Sequence, residues 1–135
     1  MAAIRCTVVA PERPLFEGGA EKVVVPGTKG QIGVLPRHAP LIAKLEPGVI
    51  RIHRPAEEGG AVEKMAVSGG FVQVRGDTVT LLVTEAVTRA DVQRDAVEKA
   101  LADVLAKLRH PASDDEYREN LKRRRSLQAQ LSLVD

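Results

Sequence analysis

The side chains best suited to metal binding or nucleophilic chemistry are few in this chain. His38, His53 and His110 are scattered, and no two of them have the spacing of a zinc ligand set. Cys6 is the only cysteine, so the chain has no internal disulfide. Because Cys6 lies in an alternating apolar run, a small buried side chain is a commoner explanation than a reactive thiol. The sequence therefore predicts no metal site and no catalytic nucleophile.

Paired acids and spaced glycines are the other patterns that could act on a substrate. The acidic pair at residues 57–58 falls in a loop and the pair at 114–115 at a helix start, so neither requires an acid–base role. Gly27, Gly30 and Gly33 recur every third residue. A phosphate-binding loop must be followed by a helix, and no helix is expected after these glycines. We expect no catalytic residue and no bound cofactor. An enzyme whose site leaves no sequence signature is the alternative.

Composition limits the classes of partner. The 135 residues suffice for one buried core, or for a compact domain with a small appendage. A net charge of +2, from 20 basic and 18 acidic residues, gives no strong field of one sign, and one Tyr and two Phe offer little base stacking. No apolar run approaches the roughly 18 to 20 residues that span a bilayer. We expect protein partners, no nucleic acid and no direct membrane insertion, and the single cysteine suits a reducing compartment.

Turn-forming residues mark out the first part of the chain. All eleven glycines lie at or before Gly76, and seven of the eight prolines at or before Pro55. Short apolar runs between them are typical of an all-β sandwich or barrel. Gly76-Asp77 predicts a two-residue hairpin turn of the primed type, and residues 55–60 predict a mobile loop. Nine strands are expected, at residues 4–9, 15–17, 21–25, 31–35, 41–45, 48–53, 62–67, 71–75 and 78–84.

Helical periodicity begins after about Thr88. Asp91 or Asp95 could cap the start of a first helix, and Pro111 ends it because proline disfavours helical geometry at the preceding residue. One stripe about 100° wide holds five aliphatic side chains. These are Val97, Leu101, Val104, Leu105 and Leu108.

The run Ser-Asp-Asp-Glu at residues 113–116 predicts a capping box that opens a second helix. Its apolar stripe contains Arg124, which buries poorly, so we expect this helix to be less firmly docked than the first. The stripe otherwise comprises Tyr117, Leu121, Leu127, Leu131 and Val134.

Two runs carry a resemblance to a known family. Residues 30–42 contain Gly-Gln-Ile-Gly followed by Pro-Arg-His-Ala-Pro, and residues 67–71 read Val-Ser-Gly-Gly-Phe. With the Glu-Pro-Gly at 46–48, they make the chain resemble the epsilon subunit of bacterial F-type ATP synthase. The resemblance implies an N-terminal β-sandwich of about ten strands at residues 1–87, followed by a C-terminal antiparallel helical hairpin at residues 88–135.

The resemblance also implies a function. A member of this family is a non-catalytic central-stalk, or rotor, subunit that couples proton translocation to ATP synthesis, and its hairpin can inhibit ATP hydrolysis. A bacterial protein at the cytoplasmic side of the cell membrane is expected, since no transit-like segment precedes Ile4. A chain that stays permanently compact and serves assembly alone is the alternative within this family.

The partners implied by the resemblance are the gamma subunit, the ring of c subunits and the alpha/beta catalytic head. One side of the sandwich would bind gamma. The residues that would face the ring are Thr28, Lys29, Gln31, Arg37 and His38. At the first position of the usual Gly-His-Ala-Pro this chain has arginine, which either pairs with an anionic group at the ring or is simply solvated. For the imidazole of His38, a packing role is as good an interpretation as a partner contact.

Basic residues of the second helix carry the expected inhibition. In relatives this helix extends along gamma and meets an acidic segment of the catalytic beta subunits. The matching residues here are Lys122, Arg123, Arg124 and Arg125. A solvated basic surface is the alternative, because exposed ion pairs contribute only about 0–1 kcal/mol each.

Some relatives bind ATP as a regulatory ligand on the folded hairpin. Asp91 and Arg94 match the motif, and Glu85 could assist, as could Arg124. Asp95 departs from it by placing a negative charge where phosphate would approach. Ala90 departs as well, because it removes an aliphatic wall. A role of Asp91 as a helix cap is the alternative.

Overall fold

A computed structural model describes residues 3–135, so the first two residues of the expected sandwich lie outside the described residues. All nine predicted strands are present and are joined by a tenth. The side-chain alternation that predicts them is plain in the first strand, where Ile4, Cys6 and Val8 are buried between more exposed neighbours. The strands are β1 Ile4–Val9, β2 Pro14–Ala20, β3 Lys22–Gly27, β4 Gly30–Val34, β5 Leu41–Leu45, β6 Gly48–His53, β7 Val62–Val67, β8 Gly69–Arg75, β9 Thr78–Thr84 and β10 Val87–Thr88.

The strands form one curled sheet with the order β10-β7-β6-β3-β5-β8-β9-β1-β2, and β4 pairs with β3 alone. A single residue pair, Gly27 with Leu45, joins β3 to β5, whereas β8 and β9 pair along seven residues. The sheet therefore turns a corner between β3 and β5, and its two halves enclose the core. The predicted β-sandwich with a helical hairpin is confirmed.

One continuous apolar cluster fills the sandwich. Its members come from nine of the ten strands, and Ile50, Ile52 and Leu81 are fully buried within it. β7 has three consecutive buried residues, because Met65 and Val67 face this core while Ala66 faces the helices on the other side. A strand covered on both faces reads as a continuous apolar run instead of an alternating one.

Two details of the β region differ from the sequence prediction. β2 continues through Gly18 and Gly19, beyond the predicted residues 15–17, because these glycines pair with β1. The side chains of Arg54 and Glu58 lie close to them. The predicted mobile loop at 55–60 contains a 3-10 turn, Ala56–Glu58, whose first N–H donates to the Glu21 carboxylate over 3.1 Å. Arg54 also stacks on the Phe16 ring at 5.1 Å, so this segment is fastened to the strand.

The predicted primed turn between β8 and β9 is confirmed. Gly76 has a φ of 61°, whereas Asp77 is not among the non-glycine residues with positive φ. That pair of signs is typical of a type II′ turn, and Arg75 pairs directly with Thr78 across it.

The two helices are α1 Arg94–Arg109 and α2 Asp114–Ser132. The capping residue of α2 is the predicted one, since Ser113 Oγ accepts a hydrogen bond from the Glu116 amide at 3.1 Å. The predicted caps of α1 are wrong. Gln93 stands at the cap without a side-chain hydrogen bond, while Asp91 belongs to a preceding 3-10 turn.

The expectation that α2 is the less firmly docked helix is also wrong. α2 packs against β6 and β7, and Ala129 and Leu133 form a buried cluster with Ala66. The residues of α1 pack instead on α2, where Val97 and Val104 meet Leu127. The apolar stripe missed this docking because Ala129 and Leu133 both lie outside it, on another side of the helix.

Candidate interaction surfaces

β4 is an edge strand, and the expected ring-facing residues lie around it. Thr28 and Lys29 form the exposed tip of the β3–β4 hairpin, and Gln31 follows on β4. Arg37 and His38 come after the other end of the strand. Five residue steps of extended chain cover about 17 Å, so the structure spreads these residues along one edge and does not collect them at one point.

Arg37 is held in a backbone conformation that favours glycine. Its φ is 67°, in the left-handed region, where a side chain other than glycine costs on the order of 1–2 kcal/mol. Its side chain is exposed, while the neighbouring His38 is half-buried with Nδ1 2.7 Å from the Ala39 carbonyl oxygen. The sequence places a charge at this turn, and the structure shows that the charge comes with backbone strain.

The outer face of β5, β8 and β9 carries exposed apolar side chains that sequence reasoning did not single out. Ile42, Phe71 and Leu82 are 74%, 55% and 53% exposed. The strand register places Phe71 opposite Leu82, and Leu82 beside Val9 of β1. A shallow apolar cavity of about 280 Å³ adjoins Phe71 and Leu82, next to Pro11. We call Ile42, Phe71 and Leu82 the apolar face. The uninterrupted apolar runs 41–43 and 81–83 were its signals in the sequence.

The four basic residues of α2 do not share one side of the helix. Lys122, Arg123 and Arg125 are exposed, whereas Arg124 is half-buried. Four consecutive helical residues point around the whole circumference, so one of them must turn inward. Within residues 3–135 the Nε atom of Arg124 is buried without a hydrogen-bond partner, and so is the Nδ2 atom of Asn120 one turn earlier.

A polar cleft of about 370 Å³ separates this part of α2 from the end of the sheet. Across it, Ser126 Oγ lies 2.8 Å from Ser68 Oγ, and Ser68 donates to the Glu85 carboxylate over 3.2 Å. Lys122 and Arg123 also line the cleft. Glu85 has a φ of 50°, a second non-glycine residue in the left-handed region. α2 is thus docked on the sheet through polar groups as far as Ser126, and through apolar ones at Ala129 and Leu133.

The three residues expected to contact a nucleotide each have a partner within the chain. Glu85 accepts from Ser68, and Asp91 accepts from the Thr88 hydroxyl over 3.0 Å. Arg94 donates from Nη2 to the carbonyl oxygen of Val134 at 2.6 Å, and from Nη1 to the carboxylate of Asp135 at 2.8 Å. Of the three, Glu85 alone lines the polar cleft. A nucleotide contact at these residues stays a prediction.

Cys6 is fully buried in the sandwich core. Burial penalises the thiolate and raises the pKa of the thiol from 9.0 to about 12, so the group stays protonated at neutral pH. Within residues 3–135, His, Cys, Asp and Glu form no group of three or more that could hold a metal ion. None of the helices in that range is long and apolar enough to cross a membrane.

Comparison with known proteins agrees with the fold. A chain in a structure of the Euglena gracilis mitochondrial ATP synthase, described as OSCP/F1/c-ring, superposes with a TM-score of 0.85, at 22% identity, over 100% of this chain and 83% of that one. A chain in the central stalk and c-ring structure of the Tetrahymena thermophila mitochondrial ATP synthase superposes with a TM-score of 0.73, at 14% identity, over 98% of this chain and 96% of that one.

Sequence comparison identifies the family. Residues 3–89 match the family described as ATP synthase, Delta/Epsilon chain, beta-sandwich domain. The ATP synthase epsilon chain of Chromohalobacter salexigens is 37% identical over 117 residues, which are 87% of this chain and 81% of the relative. That of Brevibacillus brevis is 42% identical over 115 residues, 80% of this chain and 85% of the relative. The chain therefore belongs to the ATP synthase epsilon chain family.

Proposed function

We propose that this protein is a rotor subunit of a bacterial proton-translocating ATP synthase, in which the sandwich links the gamma shaft to the c ring and the hairpin restrains ATP hydrolysis. It works as a mechanical part and has no catalytic site of its own. In the assembled enzyme it lies at the cytoplasmic side of the membrane without entering the bilayer. The observation that carries the proposal is the contrast between a rigid sandwich with an exposed apolar face and a hairpin docked through few buried contacts.

The apolar face supports the gamma contact. Three large side chains exposed on adjacent strands form the kind of patch that marks a protein interface. The strands beneath them belong to the buried core, so the patch is held rigidly and needs no reordering on binding. We assign gamma to this face of the sheet.

The β4 edge supports the ring contact. Its outer backbone groups are unpaired within the sheet, because β4 pairs with β3 alone. The exposed Lys29 and Arg37 at its two ends suit polar or anionic groups of the ring. The presence of an arginine at the strained φ of 67° favours a contact by its side chain, because glycine would relieve the strain.

The hairpin supports the restraint of hydrolysis. The contact of α2 with the sheet is polar as far as Ser126, and Asn120 and Arg124 have buried atoms without a hydrogen-bond partner within residues 3–135, which lowers the cost of undocking. Lys122, Arg123 and Arg125 are already exposed, and extension of α2 would free Arg124 as well. A hairpin with packed and extended arrangements that differ by a few kcal/mol is what such a switch requires.

The test is ATP hydrolysis by the assembled catalytic head carrying the full chain, residues 1–88 alone, or a variant with residues 122–125 changed to alanine. We expect the truncated and four-alanine forms to hydrolyse ATP faster than the full chain, because both lack the charges that meet the beta subunits. Co-elution with gamma must be shown for each form, so that faster hydrolysis does not reflect a missing subunit.

A matched control separates the binding of gamma by the sandwich, which we call the clamp, from the inhibition of hydrolysis by the hairpin, which we call the brake. Phe71→Asp places a charge on the apolar face and should abolish co-elution with gamma, whereas Tyr117→Asp, on the exposed side of α2, should not. Equal hydrolysis by all forms that co-elute would refute the brake and leave a coupling clamp. Normal co-elution of Phe71→Asp would refute the assignment of gamma to this face.

A further inference from the structure

The open end of the helical hairpin is closed by one arginine. Arg94 is the first residue of α1, and its guanidinium reaches the backbone that follows α2. It donates to the Val134 carbonyl oxygen over 2.6 Å and to the Asp135 carboxylate over 2.8 Å. The helices are joined at their other end by residues 110–113, so this contact ties together the two ends that lie away from that loop.

The contact lies next to the apolar anchor of the hairpin. Leu133, immediately before the two bonded residues, is buried with Ala66 of the sheet. Val92, two residues before Arg94, packs against the same cluster and also against the helix–helix cluster. Whatever holds Val134 and Asp135 in place therefore also holds Leu133 on the sheet.

Both charges stand at unfavourable ends of their own helices. The N-terminus of a helix carries a partial positive charge, so Arg94⁺ at the first position of α1 is disfavoured there, and Asp135⁻ is disfavoured beyond the C-terminal end of α2. Within α1, Arg94 also lies 3.7 Å from the Glu98 carboxylate, which offsets part of this cost. Its shorter contact, with Asp135 at 2.8 Å, joins the two helices, because the antiparallel hairpin brings these ends side by side.

We propose that Arg94, Val134 and Asp135 form a clasp that sets the balance between the docked and released hairpin. The inference rests on the proposed two-state hairpin and names the contact that regulates it. Opening the clasp removes the charge pair, frees Leu133 to leave Ala66, and leaves the polar contact of Ser126 with Ser68 to hold the hairpin. The clasp is a charge pair between exposed side chains, 46% and 62% accessible, so salt weakens it.

The test is amide hydrogen exchange on the isolated full chain, with Arg94→Gln, Asp135→Asn and the double variant. The clasp predicts that each single variant exchanges about two- to fivefold faster at Val97 and Leu131, the range expected for an exposed ion pair. The double variant should exchange no faster than Arg94→Gln. In 1 M salt, where the screening length is about 3 Å, the wild-type chain should approach the variants.

The control is Arg118→Gln, which removes a more exposed arginine–aspartate pair, Arg118 with Asp115, within α2. It should leave exchange at Val97 and Leu131 unchanged. If Arg94 acted only within α1, where it also pairs with Glu98, Asp135→Asn would not speed exchange, so slower or unchanged exchange in Asp135→Asn overturns the clasp. Because no ATP synthase is present in this experiment, failure of the hydrolysis brake and failure of the clasp are told apart.

Discussion

The sandwich and the hairpin differ in how their apolar residues are connected. Eighteen buried residues of the sandwich form one continuous cluster. The hairpin has two small clusters of three buried residues each, one between the helices and one between α2 and the sheet. The first arrangement opens only when the whole fold opens. The second can be broken one cluster at a time.

This difference assigns separate mechanical properties to the two parts of one short chain. A region with few buried contacts opens at a lower free energy than a region with many, so the hairpin can leave the sheet while the sandwich stays folded. α2 also presents both kinds of contact along its own length, from the Ser68–Ser126 pair to the Ala129–Leu133 anchor. These two kinds of contact can therefore break separately.

The largest effect that would test this comparison comes from a cavity in the sandwich. Leu81 is fully buried in the continuous cluster, and Leu81→Ala should lower the free energy of unfolding by about 2–5 kcal/mol, since a rigid core cannot collapse around the missing atoms. Urea unfolding followed by circular dichroism measures it. Leu105→Ala, at a leucine of α1 that is 39% exposed, is the control and should cost much less. Similar losses in the two variants would contradict the distinction between the regions.

The sequence was more informative about the sandwich than about the docking of the hairpin. Period-two alternation marked the strands because each has a core face and an outer face, as in β1. β10 was missed because two residues, Val87 and Thr88, are too few to show a period. The expected boundary between residues 87 and 88 falls inside this strand.

The docking of α2 escaped prediction for a different physical reason. Periodicity finds large apolar side chains, but close packing of a helix on a sheet uses small ones, here Ala129 against Ala66. Similarly, the residues expected at the ring and at a nucleotide could be named from the family resemblance. Their spread along β4, and the use of Arg94 within the hairpin, depend on tertiary geometry.

A smaller effect is expected from overpacking the contact between the hairpin and the sheet. Ala66→Leu adds a side chain where Ala129 and Leu133 approach, and should destabilise the docked hairpin by about 1–3 kcal/mol. Because the outer face of β7 is involved, the sandwich core should keep its protection from hydrogen exchange while both helices lose theirs. Ala106→Leu, on the exposed side of α1, is the control and should change neither. Equal loss of protection in the sandwich would show that the two regions open together.

The smallest effect is a loss of stability at alkaline pH, which arises in the sandwich and not in the hairpin. In the unfolded chain the Cys6 thiol loses its proton near its ordinary pKa of 9.0, whereas burial in the sandwich holds the proton up to about 12. The folded state therefore binds more protons in this window, and stability falls as pH rises above 9. From pH 8 to pH 10 the loss should be about 1.4 kcal/mol.

Cys6→Ala isolates this contribution, because the variant lacks the titrating group while other groups titrate as before. The difference in free energy of unfolding between wild type and variant should change by about 1.4 kcal/mol between pH 8 and pH 10. The exchange of hairpin amides, corrected for pH, should change equally in the wild type and in Cys6→Ala. A difference that does not vary with pH would mean that water reaches Cys6. The sandwich would then be less closed than one continuous core implies, and the contrast with the hairpin would rest on the number of contacts alone.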